Sequence, residues 1–85
     1  MQAYILIKCN SGSEEKIISE FKELSDVSEI NGIWGNYDIF LKIKTLDPFG
    51  IDEIVKRLRL HPDITHTETF DVLYGQGGTI DQENS

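Results

Sequence analysis

Cysteine, proline and basic side chains are all scarce in this chain of 85 residues, which contains one cysteine, two prolines and eight lysines and arginines. Cys9 has no partner with which to close a disulfide, so the staple of small secreted domains is excluded and a cytoplasmic protein is expected. Its position in an apolar run near the N-terminus reads as a buried, inert thiol rather than a nucleophile. No stretch approaches the ~18 consecutive apolar residues that a membrane span requires, and Met1-Gln2 leads directly into a strand with no basic segment and apolar signal core. The basic residues are dispersed over Lys8, Lys16, Lys22, Lys42, Lys44, Lys56, Arg57 and Arg59, and against 15 acidic residues they leave a formal net charge of −7. Such a field opposes phosphate backbones, and no direct DNA binding is expected.

The constellations of catalysis are also missing. His61 precedes a proline and His66 falls within a strand, and no cysteine or carboxylate stands at ligand spacing from either, so neither a zinc site nor a nucleophile–base pair is assigned. Gly75, Gly77 and Gly78 follow the last strand instead of opening a helix, which removes the phosphate-loop reading. No catalytic residue, metal or cofactor is therefore called for. Nothing repeats at a fixed period. A domain this small buries only ~60% of its unfolded surface, and with no disulfide to help, association with a second copy is expected to complete its core.

What is present is a regular alternation of elements. Ala3, Ile5, Ile7 and Cys9 alternate with Tyr4, Leu6 and Lys8, the pattern of a central strand with both faces covered. Ser13 stands ready to cap a helix whose first turn holds Glu14 and Glu15 and whose buried stripe is Ile17, Ile18, Phe21 and Leu24. Residues 27–34 read as a second strand with a bulge expected at Gly32, and Gly35-Asn36 as the turn into a third strand, residues 37–44. Asp47-Pro48 supplies a cap and a first-turn proline for a second helix carrying Ile51, Ile54, Val55 and Leu58, with Lys56, Arg57 and Arg59 near its negative end. Pro62 stops that helix, and residues 64–73 form a Thr-rich last strand. The order βαββαβ predicts an α+β, ferredoxin-like domain over residues 1–74: a four-stranded antiparallel sheet with both helices on one face. Its bare face, with Tyr4, Leu6 and Phe40, suits pairing with a second copy, the dimeric α+β barrel. Residues 75–85 are expected to be a flexible acidic tail.

Gly35-Asn36-Tyr37-Asp38 is the most informative stretch, since it sets a flexible turn, an aromatic ring and a carboxylate at the tip of a hairpin, where a small amphoteric ligand could be held. Taken with Val27-x-Glu29, Ile33-Trp34, Leu60-His61-Pro62-Asp63-Ile64 and Thr67-x-Thr69, in this order and spacing, it resembles the ligand-binding domain of the Lrp/AsnC transcription regulators. The resemblance covers Ala3 to about Leu73. It implies a domain that dimerises through its sheet, assembles into a ring of dimers and binds a free amino acid or similar small metabolite between dimers. It further implies a site formed by Trp34, Gly35, Asn36, Tyr37 and Asp38, with Thr67 and Thr69 as weaker matches and Asp38 as the partner of an α-amino group. Met1 is followed at once by the first strand, so the resemblance is to a stand-alone effector module without a helix-turn-helix, acting through oligomerisation or through full-length Lrp/AsnC partners. Trp34 departs from the small polar residue that the family often has there.

Each of these residues also has a plainer reading. Asp38 can bind main-chain N–H groups of its own turn. Tyr37 can be a packed ring with a wet hydroxyl, and Trp34 can fill a subunit interface. Thr65, Thr67 and Thr69 share one face of their strand, as β-propensity alone would have it. Two further functional classes stand beside the sensor. One is a small dimeric ferredoxin-like enzyme with an organic substrate between sheet and helices and His66 or Asp38 moving a proton. The other is a purely structural oligomerisation partner.

Overall fold

The computed structural model describes residues 1–82. The first strand, β1 (Gln2–Cys9), sends Ala3, Ile5 and Ile7 to one side, where each is fully buried. Helix α1 (Glu14–Phe21), strands β2 (Val27–Gly32) and β3 (Ile39–Lys44), helix α2 (Pro48–Leu60) and strand β4 (Ile64–Asp71) follow. The sheet order is β2-β3-β1-β4, and all three pairings are antiparallel. Ile39, Leu41 and Ile43 of β3 join the β1 residues in one cluster with Ile17 and Phe21 of α1 and Ile51, Ile54 and Leu58 of α2. Both helices thus cover the same face. This is the ferredoxin-like arrangement the periodicity predicts, with β1 in the centre because it pairs on both edges.

The second helix is punctuated as its sequence predicts. The Asp47 carboxylate accepts the Phe49 N–H at 2.9 Å, Pro48 occupies the first turn, and Arg57 and Arg59 lie in the last. Helix α1 starts differently. Ser13 adopts a helical backbone conformation, so its hydroxyl turns back to donate to the Asn10 carbonyl and caps nothing. A serine caps from the extended region, which Ser13 does not occupy.

Three boundaries also differ from the sequence reading. Strand β2 ends at Gly32 and β3 begins at Ile39, because residues 34–37 leave the ladder. Gly32 remains paired with Ile39; the register shifts instead between Val27 and Glu29, where the Ser28 hydroxyl reaches the Lys42 carbonyl, and again between Lys8 and Cys9. Strand β4 stops at Asp71.

Where a free tail is expected from residue 75, the described part folds back on the domain; residues 83–85 lie outside the described residues. Gly75, Gly77 and Gly78 take positive φ values of 84°, 97° and 74°, a region in which glycine alone is at ease. The Asp81 carboxylate closes the reversal by accepting the Gly75 and Gly77 N–H groups, both at 2.6 Å. A 3₁₀ turn over Thr79–Gln82 then buries Ile80, and Thr79 exchanges hydrogen bonds with the Gln2 side chain. Lys42, on the open face of the sheet, also reaches Thr79 at 3.5 Å. The isolated Ile80 therefore anchors a hook outside the main core cluster.

Candidate functional site

The hairpin between β2 and β3 opens where β1 ends and α1 begins. Asp38 fixes its base. Its N–H donates to the Ile7 carbonyl, its carbonyl accepts from Ile33, and its carboxylate accepts the Cys9 N–H at 2.9 Å. These bonds prolong the β1–β3 pairing by one residue and hold the loop above the end of the sheet. Glycine is required at the turn itself: Gly35 sits at φ 148°. Trp34 next to it is fully exposed.

A cavity of about 650 Å³ lies under this loop, lined by Glu14, Gly32, Ile33, Trp34, Gly35, Tyr37 and Asp38. It brings together four of the seven residues that the sequence marks. Asn36 is exposed at the tip, outside the lining. Thr67 and Thr69 lie elsewhere, opposite Ile7 and Ile5 in the β1–β4 ladder. Paired residues share a face, so both threonines are on the helix-bearing side of the sheet. Thr67 lines a separate, smaller hollow with Arg59, Ile64, Thr65 and His66.

Glu14, Gly32 and Ile33 complete the lining, and of these Glu14 alone comes from outside the hairpin. In the sequence it is a first-turn helix residue; only the turn after β1 and the Asp38–Cys9 bond bring it beside the hairpin. Its effect reaches the Cys9 thiol. Burial chiefly raises the pKa of this thiol, Ser13 opposes the rise, and the Asp38 and Glu14 carboxylates add to it. Both carboxylates therefore act on one small volume at the end of β1.

Tyr37 turns toward the open face of the sheet. Its hydroxyl donates to Glu68 at 2.5 Å, its ring lies 6.3 Å from that of His66, and Lys8 Nζ stands 5.3 Å over it. The bond to Glu68 holds the phenol pKa above its ordinary value. On the same face the rings of Tyr4 and Phe40 meet at 5.5 Å. The other histidine, His61, closes the junction of the two helices: Nε2 meets the Glu20 carboxylate at 2.9 Å while Nδ1 accepts the Asp63 N–H. Among the described residues no three His, Cys, Asp or Glu side chains converge as a metal site. The space between sheet and helices, where an enzyme reading would seat a substrate, is filled by Ile5, Ile7, Ile17, Leu41 and Leu58.

The Lrp/AsnC ligand binding domain matches residues 2–74. The chain belongs to that family. Its class of role is regulatory effector binding, and the hairpin cavity lies inside the matched region. FFRP-DM1 superposes with a TM-score of 0.79 at 26% identity, over 85% of this chain and 97% of its own. A hypothetical protein of Pyrococcus horikoshii gives a TM-score of 0.76 at 27% identity, over 85% and 89% of the two chains. A transcriptional regulator of Neisseria meningitidis, solved as a complex with L-Met, shares the fold with a TM-score of 0.77 at 18% identity, over 91% of this chain and 52% of its own. No curated protein matches the chain in sequence. Among the described residues no helix is long and apolar enough to cross a membrane.

Proposed function

We propose that this Lrp/AsnC domain senses a free amino acid or closely similar metabolite in the hairpin cavity, and that binding shifts the balance between its assemblies. The observation that carries the reading is the cavity itself, lined by Trp34, Gly35, Tyr37 and Asp38 within the family-matched residues 2–74. Its size suits a small metabolite, and it combines apolar walls with a carboxylate that can meet an ammonium group. The fold relative bound to L-Met lends support to an amino acid as the ligand.

In this reading Asp38 takes the α-ammonium and main-chain amides of residues 35–36 take the carboxylate. Thr67 and Thr69, on the far strand, reach the same ligand only when a second copy brings them. The open face, with half-buried Tyr4, Leu6 and Phe40, pairs with its counterpart in a dimer, and dimers meet around the cavities. The ligand then favours whichever arrangement completes its site. The domain works on transcription through that assembly or through full-length Lrp/AsnC partners. Thermal melting with and without a set of amino acids, read beside light scattering, tests it. At least one amino acid should raise the melting temperature and change the mass; failure of the whole set to do either rejects the sensor.

A further inference from the structure

We infer that the hairpin cavity selects a ligand bearing a second cationic group, a basic amino acid rather than a neutral or acidic one, with Glu14 reading that group. The inference rests on the sensor reading above and adds the charge class of its ligand. Its ground is the composition of the wall. Two carboxylates, Glu14 and Asp38, line the cavity together with the exposed ring of Trp34 and with Tyr37, whose ring already meets Lys8, and no lysine, arginine or histidine is part of the lining. Carboxylates and the faces of aromatic rings both attract ammonium and guanidinium groups.

The neighbouring cations already have partners. Lys16 pairs with Asp63 at 3.0 Å, and Lys8 Nζ stands over the Tyr37 ring without lining the cavity. The two carboxylates also differ in what they can offer. Asp38 already holds the Cys9 N–H through Oδ2, and that bond fixes its position in the wall. Glu14 is half-buried at the start of α1. A ligand with one ammonium group satisfies Asp38 alone and leaves Glu14 with only the positive first turn of α1 to offset its charge. A lysine-like ligand satisfies both. The net charge of −7 adds a long-range field of the same sign, which draws cations and repels acidic metabolites.

Calorimetric titration of the full chain with L-lysine, L-leucine and L-glutamate tests the inference. L-Lysine should bind at least about tenfold more tightly than L-leucine at low salt, as one added charge pair in a partly wet site allows, and L-glutamate should bind most weakly. Raising the ionic strength should narrow the gap. Glu14→Gln should lower the affinity for L-lysine about tenfold, whereas Glu14→Asp, which keeps the charge, should retain the preference. Equal or tighter binding of L-leucine overturns the inference and leaves the sensor standing. A lysine preference that survives Glu14→Gln removes Glu14 from the role. If none of the three binds and no other amino acid shifts the melting temperature, the sensor reading itself falls.

Discussion

Replacing Asp38 by alanine separates two roles that its sequence position cannot tell apart. An exposed turn residue devoted to a ligand would be lost with little effect on folding. Here, however, the carboxylate accepts the Cys9 N–H, in a partly buried bond that prolongs the central strand pairing. A hydrogen bond to a charged acceptor contributes about 1.5–3 kcal/mol, and partial access of water to the freed amide brings the expected cost of Asp38→Ala to about 1–2 kcal/mol. At ~4–8 °C per kcal/mol for a domain of this size, the melting temperature should fall by about 4–16 °C. Asp38→Asn keeps an acceptor in the same place and should lose less than half as much. The assay is thermal unfolding of the three proteins at one fixed concentration, since association would otherwise move the midpoint. An Asp38→Ala protein that melts with the wild type would refute the structural role. Ligand titration of Asp38→Asn, folded but uncharged, then isolates the part of the carboxylate that meets an ammonium group.

Other perturbations test the remaining parts of the architecture. In Gly50→Ala the new Cβ would stand 2.5 Å from the Thr45 hydroxyl, itself bonded to Asp47; overpacking of ~1–3 kcal/mol set against a ~1 kcal/mol gain in helix propensity leaves a net loss of up to roughly 2 kcal/mol in denaturant unfolding, and a net gain would refute the clash. The hydrogen bond and charge of Lys16 hold the Asp63 carboxyl below its ordinary pKa of 3.8, so the stability that this pair contributes is complete above that value and lost as pH falls through the lowered one; Asp63→Asn should flatten the acid limb of a pH–stability curve below about pH 4. Glu68→Gln should bring the raised phenol of Tyr37 back toward its ordinary titration range, read as the difference in phenolate absorbance between this variant and its Tyr37→Phe derivative. Asp81→Ala should release the Gly75 and Gly77 amides to fast hydrogen exchange while protection in β1 is unchanged.

The legible features were those written in local chemistry. Period two in residues 3–9 and the run Asp47-Pro48 announce a strand and a helix start on their own, and the alternation of elements leaves the ferredoxin-like topology as the natural packing. Illegible features depend on what meets across the sheet. Thr67 and Thr69 share a face by period, but only the pairing with Ile7 and Ile5 decides that it is the helix-bearing one. Glu14 enters the cavity wall because the turn after β1 returns the chain to the hairpin. Ser13 has the right side chain for a cap and the wrong backbone angles, and sequence specifies the former far better than the latter. Ile80 is a single apolar residue in a polar, glycine-rich stretch, where no periodicity can signal a buried anchor.

The position of β1 governs the order in which this chain can be completed. It is the first strand to be synthesised, yet both of its ladder partners, β3 and β4, come later, and β4 comes last of the four. At roughly 5–20 residues per second of synthesis, an apolar strand with two open edges therefore waits for seconds. A transcript cut before β4 would yield a chain whose strand Gln2–Cys9 had become a permanent edge, presenting unpaired main-chain groups to its neighbours. Loss of the segment from β4 onward would thus turn a self-contained sheet into a template for aggregation, and the last strand is the one that makes the first strand safe.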